Sequence, residues 1–369
     1  MRSRRQFIRD ASRTAGVLFL SGGFANAAAR LALQGGAPRR RQVTVGGRRV
    51  KTIDVHAHCI VPEAVALMSE GRGGGAGGRG GAAAGANVSL VMGPERLRQM
   101  DEQGIDVEVL SINPNWYGVE RELVRQVIEL QNRKLVEICA ANPDRFVAVA
   151  SVALQYPELA AEQLEAADKM GLHGAAIGGS VEGEELSSPK FDPFWAKAEA
   201  LGSLIFLHPQ NAPGRPSPRL QGNGVLSNVI GNPLETTIAL SHLIFEGTLD
   251  RFPGLKICAA HGGGYFPSYS ARSDHGCLVF PEQCKTRALK KQPSEYLKQL
   301  YFDSLVFTPE ALRHLVAECG ASQIVVGTDY PFPWTSTAVD HVLGTPGLSN
   351  ADRVAILGGT ASKLLRIPA

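Results

Sequence analysis

Charge of either sign is scarce in this sequence. Only 20% of its 369 residues are charged and the formal net charge is +3. That field is too small to argue for nucleic acid or an anionic membrane surface as a partner. Membrane-length hydrophobic runs are missing too: the apolar stretch near the N-terminus, Ala15 to Leu20, is too short and too interrupted by glycine to span a bilayer. The six cysteines (Cys59, Cys139, Cys258, Cys277, Cys284, Cys319) show no CxxC spacing, which argues against a zinc knuckle or a thioredoxin-like site. No glycine-rich dinucleotide fingerprint follows the first apolar strand, which leaves a doubly wound open sheet as the lesser alternative. What remains is 44% hydrophobic, enough for a large core in a soluble globular protein.

The two ends of the first fifty residues read differently. Ser3-Arg4-Arg5-Gln6-Phe7-Ile8-Arg9 is a twin-arginine pattern, and Ala25-Asn26-Ala27 offers small residues for signal-peptidase cleavage. Residues 1–30 are therefore expected to be a twin-arginine signal and the protein to be exported to the periplasm; the plainer alternative is a basic arm. Residues 31–50, basic and rich in Gly and Pro, read as a linker, and 51–369 as one domain. Within it, Gly71 to Ala86 is low-complexity glycine and alanine, expected as a flexible insertion. An oxidising periplasm also allows a Cys277–Cys284 disulfide.

From Pro94 onward helical and strand-like stretches alternate. Strands are expected over Ile105–Ile112, Phe146–Val152, His173–Ile177, Leu204–Leu207, Lys256–Ala260, Tyr301–Phe302 and Ile324–Val326. With the opening Thr52-Ile53-Asp54-Val55-His56-Ala57-His58, that makes about eight βα units and a parallel sheet. Closure into a single (β/α)8 barrel is the natural α/β architecture at this length.

In such a barrel chemistry collects at the C-terminal strand ends. His56 and His58, two residues apart on an extended strand, share a face and can present two imidazoles to one ion. His208 ends strand five, His261 ends strand six and Asp329 ends strand eight. Each alone has a bland explanation, a hydrogen-bonded structural histidine or a turn-starting aspartate. Together they have the composition of a mononuclear site: three imidazoles and a carboxylate as ligands, with one histidine left for proton transfer. His173, His242, His314 and His341 read as structural or exposed, and His275, close to Arg272, as a residue that either lines the site or does not.

Longer runs carry a family resemblance. Gly231-Asn-Pro-Leu-Glu235-Thr-Thr-Ile-Ala, Arg251-Phe-Pro-Gly-Leu-Lys256-Ile-Cys-Ala-Ala-His261-Gly-Gly-Gly and Val326-Gly-Thr-Asp329-Tyr-Pro-Phe-Pro333 resemble the amidohydrolase superfamily. Specifically, they resemble its branch containing aminocarboxymuconate-semialdehyde decarboxylase, and the similarity runs from about Lys51 to Leu365. The resemblance implies a divalent ion, zinc or else manganese, held by His56, His58, His208 and Asp329, with His261 as general acid/base. It implies a homodimer as well. Arg272 falls where the branch places a carboxylate-binding arginine, a role that suits its fork; a surface salt bridge is the alternative. Three positions depart from the pattern. A second substrate arginine has no match beyond the weak candidates Arg72 and Arg79, Gln210 replaces an aromatic, and Gly359-Thr360-Ala361 replaces Gly-Asn-Ala.

The expected activity is metal-dependent, non-oxidative decarboxylation of a small aromatic or conjugated carboxylic acid. The alternative is hydrolysis of a lactone, ester or amide by metal-bound hydroxide. A non-catalytic binding protein is a third reading, which the intact set of five site residues disfavours.

Overall fold

The computed structural model of the chain describes residues 40–71, 90–210, 218–284 and 289–368. The leader, most of the glycine-rich insertion and the candidates Arg72 and Arg79 lie outside the described residues.

Among the described residues eight barrel strands alternate with helices: β1 (Ile53–His58), β2 (Val107–Ser111), β3 (Phe146–Ala148), β4 (Gly174–Ile177), β5 (Leu204–Leu207), β6 (Lys256–Ala259), β7 (Tyr301–Asp303) and β8 (Ile324–Val325). Every pairing among them is parallel. Continuous ladders join β1–β2–β3 and β4–β5–β6–β7–β8. The two runs meet through isolated parallel bridges, Ala150 with Ala175 on one side and Asp54 with Val326 and Ala57 with Tyr330 on the other. The ring is closed, as a (β/α)8 barrel requires.

Parallel strands covered on both faces read as unbroken apolar runs, and Leu204-Ile-Phe-Leu207 is buried at every residue. The covering helices are amphipathic. In Arg121–Ala141 the buried face is Val124, Val127, Ile128, Gln131, Asn132 and Leu135, the i, i+3, i+4, i+7 spacing of a helix that packs one side. Its start is capped by Glu120, whose carboxylate accepts from the backbone of Glu122 and Leu123. Thr308 caps Pro309–Cys319 in the same way.

Two stretches differ from expectation. Residues 40–50 are not linker: Thr44–Val45 and Arg48–Arg49 pair as an antiparallel hairpin, with Val43, Val45 and Val50 buried. Long-range charge holds it, since Arg40 and Arg49 both pair with the buried Asp106. The segment after His261 is the helix Phe266–Val279, which has no expected counterpart. Cys277 and Cys284, with Cα atoms 5.5 Å apart, form a disulfide. Among the described residues no helix is long and apolar enough to cross a membrane.

Candidate metal centre at the strand ends

Alternation along β1 puts Asp54, His56 and His58 on one face, and all three are fully buried. His56 Nδ1 lies 2.6 Å from Asp303 Oδ2, at the end of β7. That contact leaves Nε2 facing the neighbouring strand ends, 3.0 Å from His58 Nε2. His58 in turn has Nδ1 3.0 Å from the Ser111 hydroxyl. Asp329 Oδ1 sits 3.1 Å from His56 Nε2 and 2.9 Å from His58 Nε2. His208 Nε2 completes the group 4.0 Å from the same oxygen. Beneath them is Phe206, two residues before His208 and edge-on to His56 at 4.9 Å between ring centroids.

One ligand atom from each of His56, His58, His208 and Asp329 falls within 4.8 Å of all the others. Tetrahedral ligands about 2.1 Å from an ion lie roughly 3.4 Å apart, so the separations suit a single metal. Both ring nitrogens of His208 are buried with no hydrogen-bond partner, and so is His261 Nδ1 beside it. Buried polar atoms without partners are rare, and here they converge. The four residues therefore form a group able to hold a divalent metal ion.

The electrostatics agree. Burial lowers the His58 pKa to about 4 and holds His208 well below its ordinary value, so both keep lone pairs free. Burial also disfavours charge on His56, but Asp329 and Asp303 outweigh it and raise its pKa to about 10. Burial opposes ionisation of Asp329 as well, yet the surrounding imidazoles hold it well below the usual carboxylate range. The carboxylates favour positive charge at His56, whereas burial keeps His58 and His208 neutral.

His261 stands beside the group, with Nε2 3.6 Å from Asp329 Oδ2. It lies at φ 56° and Asp329 at φ 60°, left-handed conformations that non-glycine residues adopt rarely, and more often at functional sites. Arg272 does not join the cluster. It is exposed on Phe266–Val279, and among the described residues no hydrogen bond or ion pair engages it. His275 is exposed on the same helix.

Several supporting residues escaped the sequence reading. Asp303 accepts from the backbone of His261 at 2.9 Å and of Gly262 at 2.8 Å, besides facing His56. Its signal was its place as the last residue of β7. Asp54 accepts from the backbone of His56 and Thr328 at 3.0 and 3.2 Å, stitching β1 to β8. Its signal was the same two-residue spacing that paired the histidines.

An amidohydrolase family model (Amidohydro_2) matches residues 53–367, from β1 through the last helix. The chain belongs to the amidohydrolase family. This amidohydrolase falls in the decarboxylase branch: it is 31% identical, over 73% of its length and 75% of the relative's, to 2-amino-3-carboxymuconate-6-semialdehyde decarboxylase of Dictyostelium discoideum. It is 30% identical to the gamma-resorcylate decarboxylase of Rhizobium sp. (strain MTP-10005), covering 74% of this chain and 86% of that one. Among solved structures it resembles 5-carboxyvanillate decarboxylase from Sphingomonas paucimobilis, with TM-score 0.77, 25% identity, 86% of this amidohydrolase covered and 100% of the other.

Proposed function

We propose that this chain catalyses metal-dependent, non-oxidative decarboxylation of a small aromatic or conjugated carboxylic acid. The observation that carries the reading is the convergence of His56, His58, His208 and Asp329, in a chain whose relatives are named decarboxylases. Three imidazoles and one carboxylate suit zinc, with manganese as the alternative. When bound, the ion supplies a Lewis acid beside the substrate's oxygens.

The chain's residues supply the rest. In the overall change one C–C bond is exchanged for one C–H bond. The electron pair stays on the substrate carbon as carbon dioxide leaves, and a proton takes its place. His261 is the proton carrier, held at the rim of the group by the bonds from its own and Gly262's backbone to Asp303. Arg272 pairs with a substrate carboxylate; its exposure and lack of an ion pair among the described residues leave the fork available. We also propose a homodimer, and export through the leader at residues 1–30, which the Cys277–Cys284 disulfide supports.

The test uses metal-analysed protein against a panel of aromatic and enoic acids, lactones and esters, with carbon dioxide and acid release read in parallel. Carbon dioxide from a member of the acid panel is expected. His261→Ala should keep the metal and lose about 100- to 10,000-fold in turnover, whereas His208→Ala should lose both. Acid from a lactone or ester without carbon dioxide would replace the decarboxylase by the hydrolase reading. Full metal occupancy in His208→Ala would remove that residue from the ligand set.

A further inference from the structure

The metal-ligand group straddles one of the two joins in the barrel where no continuous ladder runs. His56 and His58 come from β1 and Asp329 from beyond β8, and these strands meet through two isolated bridges and three backbone hydrogen bonds rather than a continuous ladder. The β1–β2 ladder is also irregular, its register shifting between Asp54 and Ala57. A site whose ligands need sub-ångström placement thus sits at a join that no continuous ladder holds.

A buried arginine occupies that join. Arg96, in the first turn of the helix Pro94–Gln103, is 3% exposed. A helix N-terminus is an unfavourable place for a cation, and burial adds to the cost, so its partners must offset both. Its guanidinium pairs with Glu108 of β2, itself buried. Nη1 donates to the His58 carbonyl at 2.7 Å. The guanidinium carbon lies 4.6 Å from the centre of the Tyr330 ring, directly after Asp329. The Tyr330 carbonyl accepts from the His58 backbone N–H at 2.7 Å. The His58 peptide is thus gripped on both sides, and the grip closes through Tyr330.

We infer that Arg96 is a positioning residue for the metal centre, fixing the end of β1 against the end of β8 so that His58 and Asp329 address the same ion. It acts through backbone and ring contacts and touches no ligand atom. The inference rests on the four-residue group being a metal site.

Two variants separate positioning from simple neutralisation of Glu108. Arg96→Lys keeps a cation beside Glu108 but loses the planar fork and its stacking. Arg96→Met with Glu108→Gln removes the buried charge pair, a change that folded proteins often tolerate. Chelator competition gives the metal affinity of each, and the visible spectrum of the cobalt-substituted protein reports ligand geometry independently of activity. Both variants should bind metal about 10- to 100-fold more weakly than wild type with an altered cobalt spectrum, while Arg96→Lys keeps a cooperative unfolding transition. Wild-type affinity and spectrum in either folded variant would overturn the inference. Should the double variant not fold, Arg96→Lys decides by the same two readouts. Failure of the wild-type protein itself to bind a divalent metal would instead overturn the metal-site reading.

Discussion

Asp303 is the residue on which most of the site's geometry depends. Its two oxygens serve His56 Nδ1 and the backbone N–H groups of His261, Gly262 and Leu305, so it sets one of the converging histidines and the proposed proton carrier together. Outer carboxylates of this kind fix a ligand histidine's tautomer and ring plane. Asp303→Asn keeps the shape but loses the charge and one of two equivalent acceptors. Metal affinity should fall about 10- to 100-fold, measured by chelator competition; an unchanged affinity would show that His56 is held by packing alone. Glu235 invites a different test at this scale. It lies in the first turn of Asn232–Phe245, accepts from the Gln210 backbone, and has its pKa pushed up to about 7, by burial first and then by Glu185. Unfolded, such a carboxyl releases its proton near its ordinary value of 4.5. Between that pH and about 7 the folded state holds more protons than the unfolded one, so this residue's stabilising contribution is lost as pH rises through the window and is flat above it. Glu235→Gln should remove that slope. Relative to wild type, it should gain on the order of 1–3 kcal/mol between pH 4.5 and 8. Urea unfolding of both proteins across this range checks it, and parallel curves would contradict it.

Elements impose their own demands, most tightly in the turn after β6. Gly263 lies at φ 78°, and a Cβ there would approach Phe302 Cδ1 to 2.5 Å. Gly47, in the hairpin, has nearly the same φ, 77°, with nothing within 4 Å. Gly47→Ala should therefore cost only the left-handed strain, about 1–2 kcal/mol. Gly263→Ala adds overpacking against β7 and should cost about 2–4 kcal/mol, as thermal or urea unfolding would show; equal costs would mean that Phe302 moves aside freely. Elements also mark what could be read in advance. Leu204–Leu207 and Pro309–Cys319 were legible to the residue because an apolar run and a 3.6-residue period are local signals. The four residues that converge were picked out for the same reason, each lying on or just past a recognisable strand. Phe266–Val279 was not, since only Phe266, Pro267 and Ser270 are buried on it and no apolar stripe marks it. The hairpin at 44–49 resembled a linker because what holds it, Asp106, lies 57 residues from Arg49. Asp303 stands 247 residues from the histidine it orients, a separation that no local pattern spans.

At the scale of the whole molecule, the surface that stands out is apolar. Tyr269, Leu278 and Phe280 are exposed by 62%, 73% and 65%, and Leu234 and Ile238 on the neighbouring helix by about two-fifths each. Large exposed apolar patches on a soluble protein mark places where another surface packs. These two helices touch one another, and Phe266–Val279 also carries Arg272, so a second copy seated there would lie beside the proposed carboxylate-binding residue. Sedimentation of the leaderless protein at micromolar concentration should give a single species of twice the protomer mass. Leu278→Glu with Phe280→Glu places two charges on the patch and should yield protomers that still bind metal, because neither residue belongs to the ligand group. If Arg272 reaches substrate only in the assembled form, those protomers should show a raised KM for the carboxylate with kcat changed less. A monomeric wild type would remove the dimer altogether, and a dimer indifferent to both charges would move the interface elsewhere.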